Sequence, residues 1–212
     1  MIPYVVVMTV ALAALLVAEW MQSRAGVWAV KPLAALTFVA AGVAMGGLAT
    51  TFGTVMLAGL VLCLGGDVLL IPRARGAFLA GLVSFLLGHV AYAIAFVVRG
   101  LHAGATGAAA AGLALAALLV ARWLLPHVER EMKGPVLAYT AVITTMVACA
   151  VGTFVAHGDP WLVTGAAGFY LSDLAVARDR FVAPGFVNRA WGLPLYFYSQ
   201  LALASTLVAP GP

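Results

Sequence analysis

Charge is what this sequence has least of. Only 8% of its 212 residues are Asp, Glu, Lys or Arg, while 65% are hydrophobic. Water-soluble globular chains carry roughly 25% charged residues, so too few are present here to coat a surface facing water. Cysteine is nearly absent as well. Cys63 and Cys149 both fall in apolar runs, which excludes a disulfide framework and marks them as small core residues. The first residues, Met1-Ile2-Pro3-Tyr4, lack the basic region of a signal peptide, so the first apolar run is expected to remain as a helix. No polar linker or low-complexity tail interrupts the chain. A P-loop, a dinucleotide fingerprint and a Gly-x-Ser-x-Gly elbow are all missing. ATPase and serine hydrolase chemistry are therefore not indicated. Ser84 and His89 are five residues apart, which places them on different faces of one helix.

What the chain does have is long apolar runs. A membrane-crossing helix needs about 20 apolar residues. Eight segments qualify: 2–20, 27–45, 51–71, 77–98, 103–124, 135–156, 161–177 and 190–209. The expected fold is an all-α polytopic membrane bundle of about eight transmembrane helices, forming one integral membrane domain over 1–212. Proline, glycine and arginine punctuate the breaks, as at Pro72-Arg73 and Pro184-Gly185. Small residues such as Gly42 and Gly46, four apart, predict close helix packing.

The net charge of +4 belongs to topology rather than to nucleic acid, which is not expected as a partner. Ten of the eleven basic residues fall in or beside the odd-numbered connections: Arg24, Lys31, Arg73, Arg75, Arg122, Arg130, Lys133, Arg178, Arg180 and Arg189. The even-numbered connections hold Arg99 alone. The positive-inside rule then puts the odd connections in the cytoplasm and both termini on the opposite side.

Landmarks also recur along the chain. Lys31-Pro32 resembles Lys133-Gly134-Pro135, and Gly66-Asp67 followed by Arg73 and Arg75 resembles Ser172-Asp173 followed by Arg178 and Arg180. Two parallel four-helix repeats, 1–100 and 101–212, would explain the match. So would chance in an Ala- and Leu-rich background.

Ionisable residues inside a bilayer cost about 2.5–3.5 kcal/mol each on insertion scales, and they signal function by default. Asp67 and Asp173 each lie about four residues from the cytoplasmic end of their helix, roughly 6 Å deep at 1.5 Å per residue. They are expected in one layer, in the cytoplasmic half, where two carboxyls can share acid/base work. The alternative for each is an interfacial carboxylate paired with a loop arginine. His89 sits near mid-helix, where it either orients a substrate, bonds an aspartate or bridges helices. No metal or other cofactor is expected. Zinc needs three or four ligands, and His102, His127 and His157 lie in or near connections. Glu19 reads as a snorkelling side chain. Lys31 is expected to open the second helix, where it would meet a phosphate headgroup. Tyr196, Tyr198 and Gln200 alternate and so cannot all share one helix face. Gln200 is the best candidate among them for a site.

The motifs Gly66-Asp67-x-x-Leu70, Phe78…Gly81…Phe85…Gly88-His89…Tyr92, Gly168-Phe169-x-x-Ser172-Asp173 and Tyr196-x-Tyr198-x-Gln200 occur in that order, after Lys31-Pro32. This pattern resembles the YhhN-like family of membrane proteins, which includes the lysoplasmalogenases. Gly65-Gly66 before Asp67 departs from a more varied approach in that family but keeps the aspartate.

The resemblance implies hydrolysis of the vinyl ether bond of a lysoplasmalogen. The products would be a fatty aldehyde and glycerophosphoethanolamine or glycerophosphocholine. It makes Asp67 and Asp173 the catalytic candidates, and Lys31, His89, Tyr92, Ser172, Tyr196, Tyr198 and Gln200 the substrate-binding ones, with Lys31 and the loop arginines expected to hold the substrate phosphate at the cytoplasmic surface. Membrane lipids and a lysophospholipid with a vinyl ether chain are the implied partners. The chemistry needs one carboxyl that keeps its proton and one that stays anionic, as glycosidases use against a similar cation. Rival readings are a transporter or flippase for a small lipid, a hydrolase of another ether or ester lipid, and a non-catalytic lipid binder. The sequence leaves the oligomeric state open.

Overall fold

A computed structural model describes residues 1–72 and 74–207. Arg73 and the end of the expected last span, 208–209, lie outside the described residues. The chain forms eight α-helices: α1 (Ile2–Trp20), α2 (Arg24–Ala44), α3 (Thr51–Leu69), α4 (Arg75–Arg99), α5 (Ala103–Leu124), α6 (Arg130–His157), α7 (Pro160–Ala177) and α8 (Phe186–Ser205). A 3-10 turn, Leu125–His127, follows α5, and a π turn, Arg178–Val182, follows α7. No strand occurs among the described residues.

Local chemistry sets the boundaries. Ser23 and Thr50 cap α2 and α3 by accepting hydrogen bonds from the backbone N–H of Gly26 and Gly53. His102 and Asp159 do the same for α5 and α7, bonding the N–H of Ala105 and Trp161. Gly158 ends α6 with φ +74°, a left-handed conformation that glycine adopts without steric penalty.

Three boundaries differ from expectation for a physical reason. α2, α6 and α8 begin at Arg24, Arg130 and Phe186, each a few residues before its apolar run. Polar first turns such as Arg130-Glu131-Met132-Lys133 are invisible to a search for apolar windows, yet helical in an interface. Pro135 therefore lies inside α6 rather than at its start. Gly46 also lies outside α2, in the following turn, with φ +97°. It turns the chain, whereas Gly42 faces the Leu60 side chain of α3 and gives the close packing expected.

Six of the helices are long and apolar enough to cross a membrane: α1 to α4, α5 with its 3-10 extension, and α6. α7 and α8 have the length, at 18 and 20 residues, but a lower mean hydropathy. They carry Ser172, Asp173, Asn188, Tyr196, Ser199 and Gln200, five of which are buried. The polarity of these two helices is turned inward.

Packing closes α1, α2, α3, α4, α6, α7 and α8 into a ring in that order, with α8 returning to α1 and also touching α2 and α3. α5 lies outside the ring against α6, and Leu124 is its one buried side chain. The core runs through the ring as Met8, Leu15, Phe38, Met56, Leu60, Tyr92, Phe96, Met146, Leu162, Phe169, Phe197 and Leu203. Cys63 and Cys149 are buried free thiols within it.

The α3–α4 contact depends on small residues. A Cβ at Gly59 would overlap the Tyr92 ring, and one at Gly66 would meet Phe85 at 2.6 Å. Gly59→Ala is therefore expected to push Tyr92 out of place and destabilise the bundle by about 1–3 kcal/mol. Thermal unfolding in detergent reads this loss directly.

Candidate functional site

α3 carries Asp67 near its end, 2% exposed. A carboxylate buried this deeply needs a counter-charge, and α2 provides it. Lys31 Nζ lies 3.2 Å from Asp67 Oδ1. On the other oxygen, the Tyr196 hydroxyl of α8 donates a hydrogen bond of 2.6 Å to Oδ2. Lys31 thus departs from its expected place. α2 starts at Arg24, so Lys31 sits two turns inside the helix, buried and facing Asp67 rather than a headgroup at the surface.

Asp173 on α7 has different company. The Tyr139 hydroxyl of α6 donates to its Oδ2 at 2.7 Å. His89 Nε2 of α4 stands 3.6 Å from the same oxygen, just beyond hydrogen-bond length. The His89 ring is fully buried. It stacks on Phe169 with centroids 4.1 Å apart, and its Nδ1 bonds the Phe85 carbonyl oxygen at 2.7 Å. A carbonyl only accepts, so Nδ1 carries the hydrogen. In the neutral ring, Nε2 is then a lone pair facing a carboxyl oxygen. That nitrogen has no hydrogen-bond partner among the described residues.

The two carboxyls border one cavity of about 930 Å³ without bonding each other. Lys31, Tyr139, Ser172 and Tyr196 also line it. Its inner wall rests on packed rings, with Tyr196 edge-on to Phe85 at 5.7 Å and tilted against Phe169 at 5.4 Å. An apolar arm runs past Val120 and Leu124 of α5, Val136 and Ile143 of α6, and Leu174 of α7. At the rim, Arg189 bonds Glu19 at 3.1 Å and Asp179 at 3.2 Å. Glu19 is thus tied to α8 instead of reaching for solvent alone.

The remaining residues singled out by sequence divide clearly. Ser172 is buried on the cavity wall and donates to the Phe169 carbonyl at 2.7 Å. Tyr92 and Gln200 form a buried bond of 2.5 Å below it. Gln200 Nε2 has no hydrogen-bond partner among the described residues. Tyr198 does not join them. It is 39% exposed and shares a hydrogen bond of 2.8 Å with Thr9 on α1. Tyr139 and Tyr170, both on the cavity wall, are additions by the structure, and the buried Tyr170 hydroxyl likewise has no partner among the described residues. Their hydroxyls gave a weak signal, because tyrosine is common at membrane interfaces. Among the described residues, no three His, Cys, Asp or Glu side chains converge as a metal site.

The comparisons with known proteins agree with one another. Bovine lysoplasmalogenase TMEM86A (Bos taurus) is 31% identical over 163 residues, covering 73% of this chain and 65% of its own length. The human lysoplasmalogenase TMEM86A (Homo sapiens) is 31% identical over 169 residues, covering 76% of this chain and 68% of its own. The chain thus spans about two thirds of the length of these curated relatives. No solved structure gives a significant match. The model of the YhhN family matches residues 4–207, and so the chain, an integral membrane protein, belongs to the YhhN family.

Proposed function

We propose that this protein hydrolyses the vinyl ether bond of a lysoplasmalogen, releasing a fatty aldehyde and a glycerophospho-alcohol. One observation carries the reading. Two carboxyls border one cavity, one held as an ion pair with Lys31 and the other 3.6 Å from His89 Nε2 with no lysine or arginine beside it among the described residues. Hydrolysis of a vinyl ether needs that division of labour. The curated relatives named lysoplasmalogenase favour the same substrate.

The roles follow from the partners. In this proposal Asp173 carries a proton and gives it to the alkenyl carbon distal to the ether oxygen, leaving an oxocarbenium ion. Asp67, anionic beside Lys31, stabilises that cation and takes a proton from the attacking water. The hemiacetal then collapses. Asp67 returns its proton to the glycerol oxygen, and the hemiacetal hydroxyl proton returns to Asp173. Tyr139 and Tyr196 hold the two carboxyls in place by their hydroxyl hydrogens. The fatty chain lies in the apolar arm. With the basic connections in the cytoplasm, the rim opens to the cytoplasmic leaflet and both termini lie opposite.

The test is aldehyde release by the purified protein from a lysoplasmalogen, beside an ester lysophospholipid of the same chain. Aldehyde from the first and no fatty acid from the second supports the reading. Fatty acid from the ester points to a different hydrolase, and unchanged substrate recovered across proteoliposomes points to a transporter. Within the site, Tyr196→Phe is expected to lower the rate about tenfold or more, because Asp67 loses a donor. Tyr198→Phe is expected to leave the rate within about twofold, since Tyr198 faces away from the cavity.

A further inference from the structure

The rim holds charges that the chemistry above does not use. Arg24, Arg180 and Arg189 line the cavity mouth together with Glu19 and Asp179. Arg189 bonds both carboxylates. Asp179 Oδ1 further accepts from Gly185 N at 2.8 Å and Asn188 Nδ2 at 3.1 Å. Both rim acids are thereby occupied. Deeper in, Lys31 is taken by Asp67. Arg24 and Arg180 have no carboxylate partner among the described residues. Arg180 is instead held over the Phe78 ring, with its guanidinium carbon 4.2 Å from the centroid, which fixes it at the mouth without neutralising it. Arg24, the first residue of α2, lines the same cavity.

The mouth therefore carries one more positive charge than negative, and it opens onto an apolar arm. A single-chain lipid with one phosphodiester matches both features. Guanidinium groups suit phosphate because their N–H donors bind its oxygens in pairs. Resting on the hydrolase reading, we infer that, of the loop arginines, Arg24 and Arg180 form the phosphodiester subsite for the substrate headgroup, without Lys31.

The test measures binding rather than turnover, so it is independent of whether aldehyde is released. The probes are a saturated 1-alkyl lysophosphatidylcholine, which has no vinyl ether to cleave, and the 1-alkylglycerol of the same chain. Trp20, on the cavity wall, supplies the fluorescence signal. The wild-type protein is expected to bind the phospholipid at least about tenfold more tightly, as charge-assisted bonds predict. The Arg24→Gln/Arg180→Gln protein should lose that preference and keep its alkylglycerol affinity. Lysines at both positions should keep part of it. Arg75→Gln should change nothing, because Arg75 bonds Glu131 at 2.9 Å on the exposed surface. Inorganic phosphate is expected to compete only weakly and only with the phospholipid. The assignment is overturned if the double glutamine protein keeps the preference, if it loses both probes equally, or if inorganic phosphate alone binds as tightly as the lysophospholipid.

Discussion

Asp67→Asn and Asp173→Asn are each expected to lower aldehyde release by about a thousandfold or more, because each removes one half of the proposed acid/base pair. Their effects on the fold differ, and that difference separates the two roles. Asn at 67 keeps the shape but leaves the Lys31 ammonium without its counter-charge in a buried setting. The unfolding midpoint in detergent should fall. Asn at 173 still accepts the Tyr139 hydrogen bond through its amide oxygen, and no lysine or arginine among the described residues pairs with Asp173. Stability there should be nearly unchanged while activity is lost. Equal destabilisation by both changes would contradict the assignment of Asp67 as the paired anion.

Lys31→Met is expected to be the most destabilising single substitution in the site. Breaking a buried pair by removing one partner costs about 3–5 kcal/mol, because the remaining charge is uncompensated. Asp67 is 2% exposed, so bulk solvent screens the charge left behind only poorly. Replacing both partners behaves differently. Lys31→Met combined with Asp67→Leu removes both charges and should recover most of the lost stability, with no return of aldehyde release. Chemical unfolding of the two single variants and the double variant measures the coupling. Additive losses would mean that the 3.2 Å contact contributes little.

The sequence was most informative where one residue type has one meaning. Long apolar runs announced the helices, and an aspartate in such a run announced a buried charge. Asp67 and Asp173 were legible for that reason. Partners were harder to read, because contacts between helices leave no period in the sequence. Nothing near Lys31 says that it meets Asp67, 36 residues away on another helix. Its neighbour Pro32 suggested a helix start, but the polar turn from Arg24 had already begun α2. Tyr196 and Gln200 are four apart and share the inward face of α8. Tyr198 lies midway between them and is carried to the other side, against Thr9. The polar groups of α7 and α8 that line the cavity lower the hydropathy of those helices. Average composition cannot show which way those groups point.

The central claim is that a proton goes to the alkenyl carbon and water then adds to the carbon bearing the ether oxygen. Reaction of the purified protein with a lysoplasmalogen in water enriched in oxygen-18 tests this most directly, with the aldehyde trapped as it forms. The account predicts labelled oxygen in the aldehyde and none in the glycerophospho-alcohol, whose hydroxyl is the original ether oxygen. Label in the glycerophospho-alcohol would place the broken bond on the glycerol side. That result would contradict the roles given to Asp67 and Asp173.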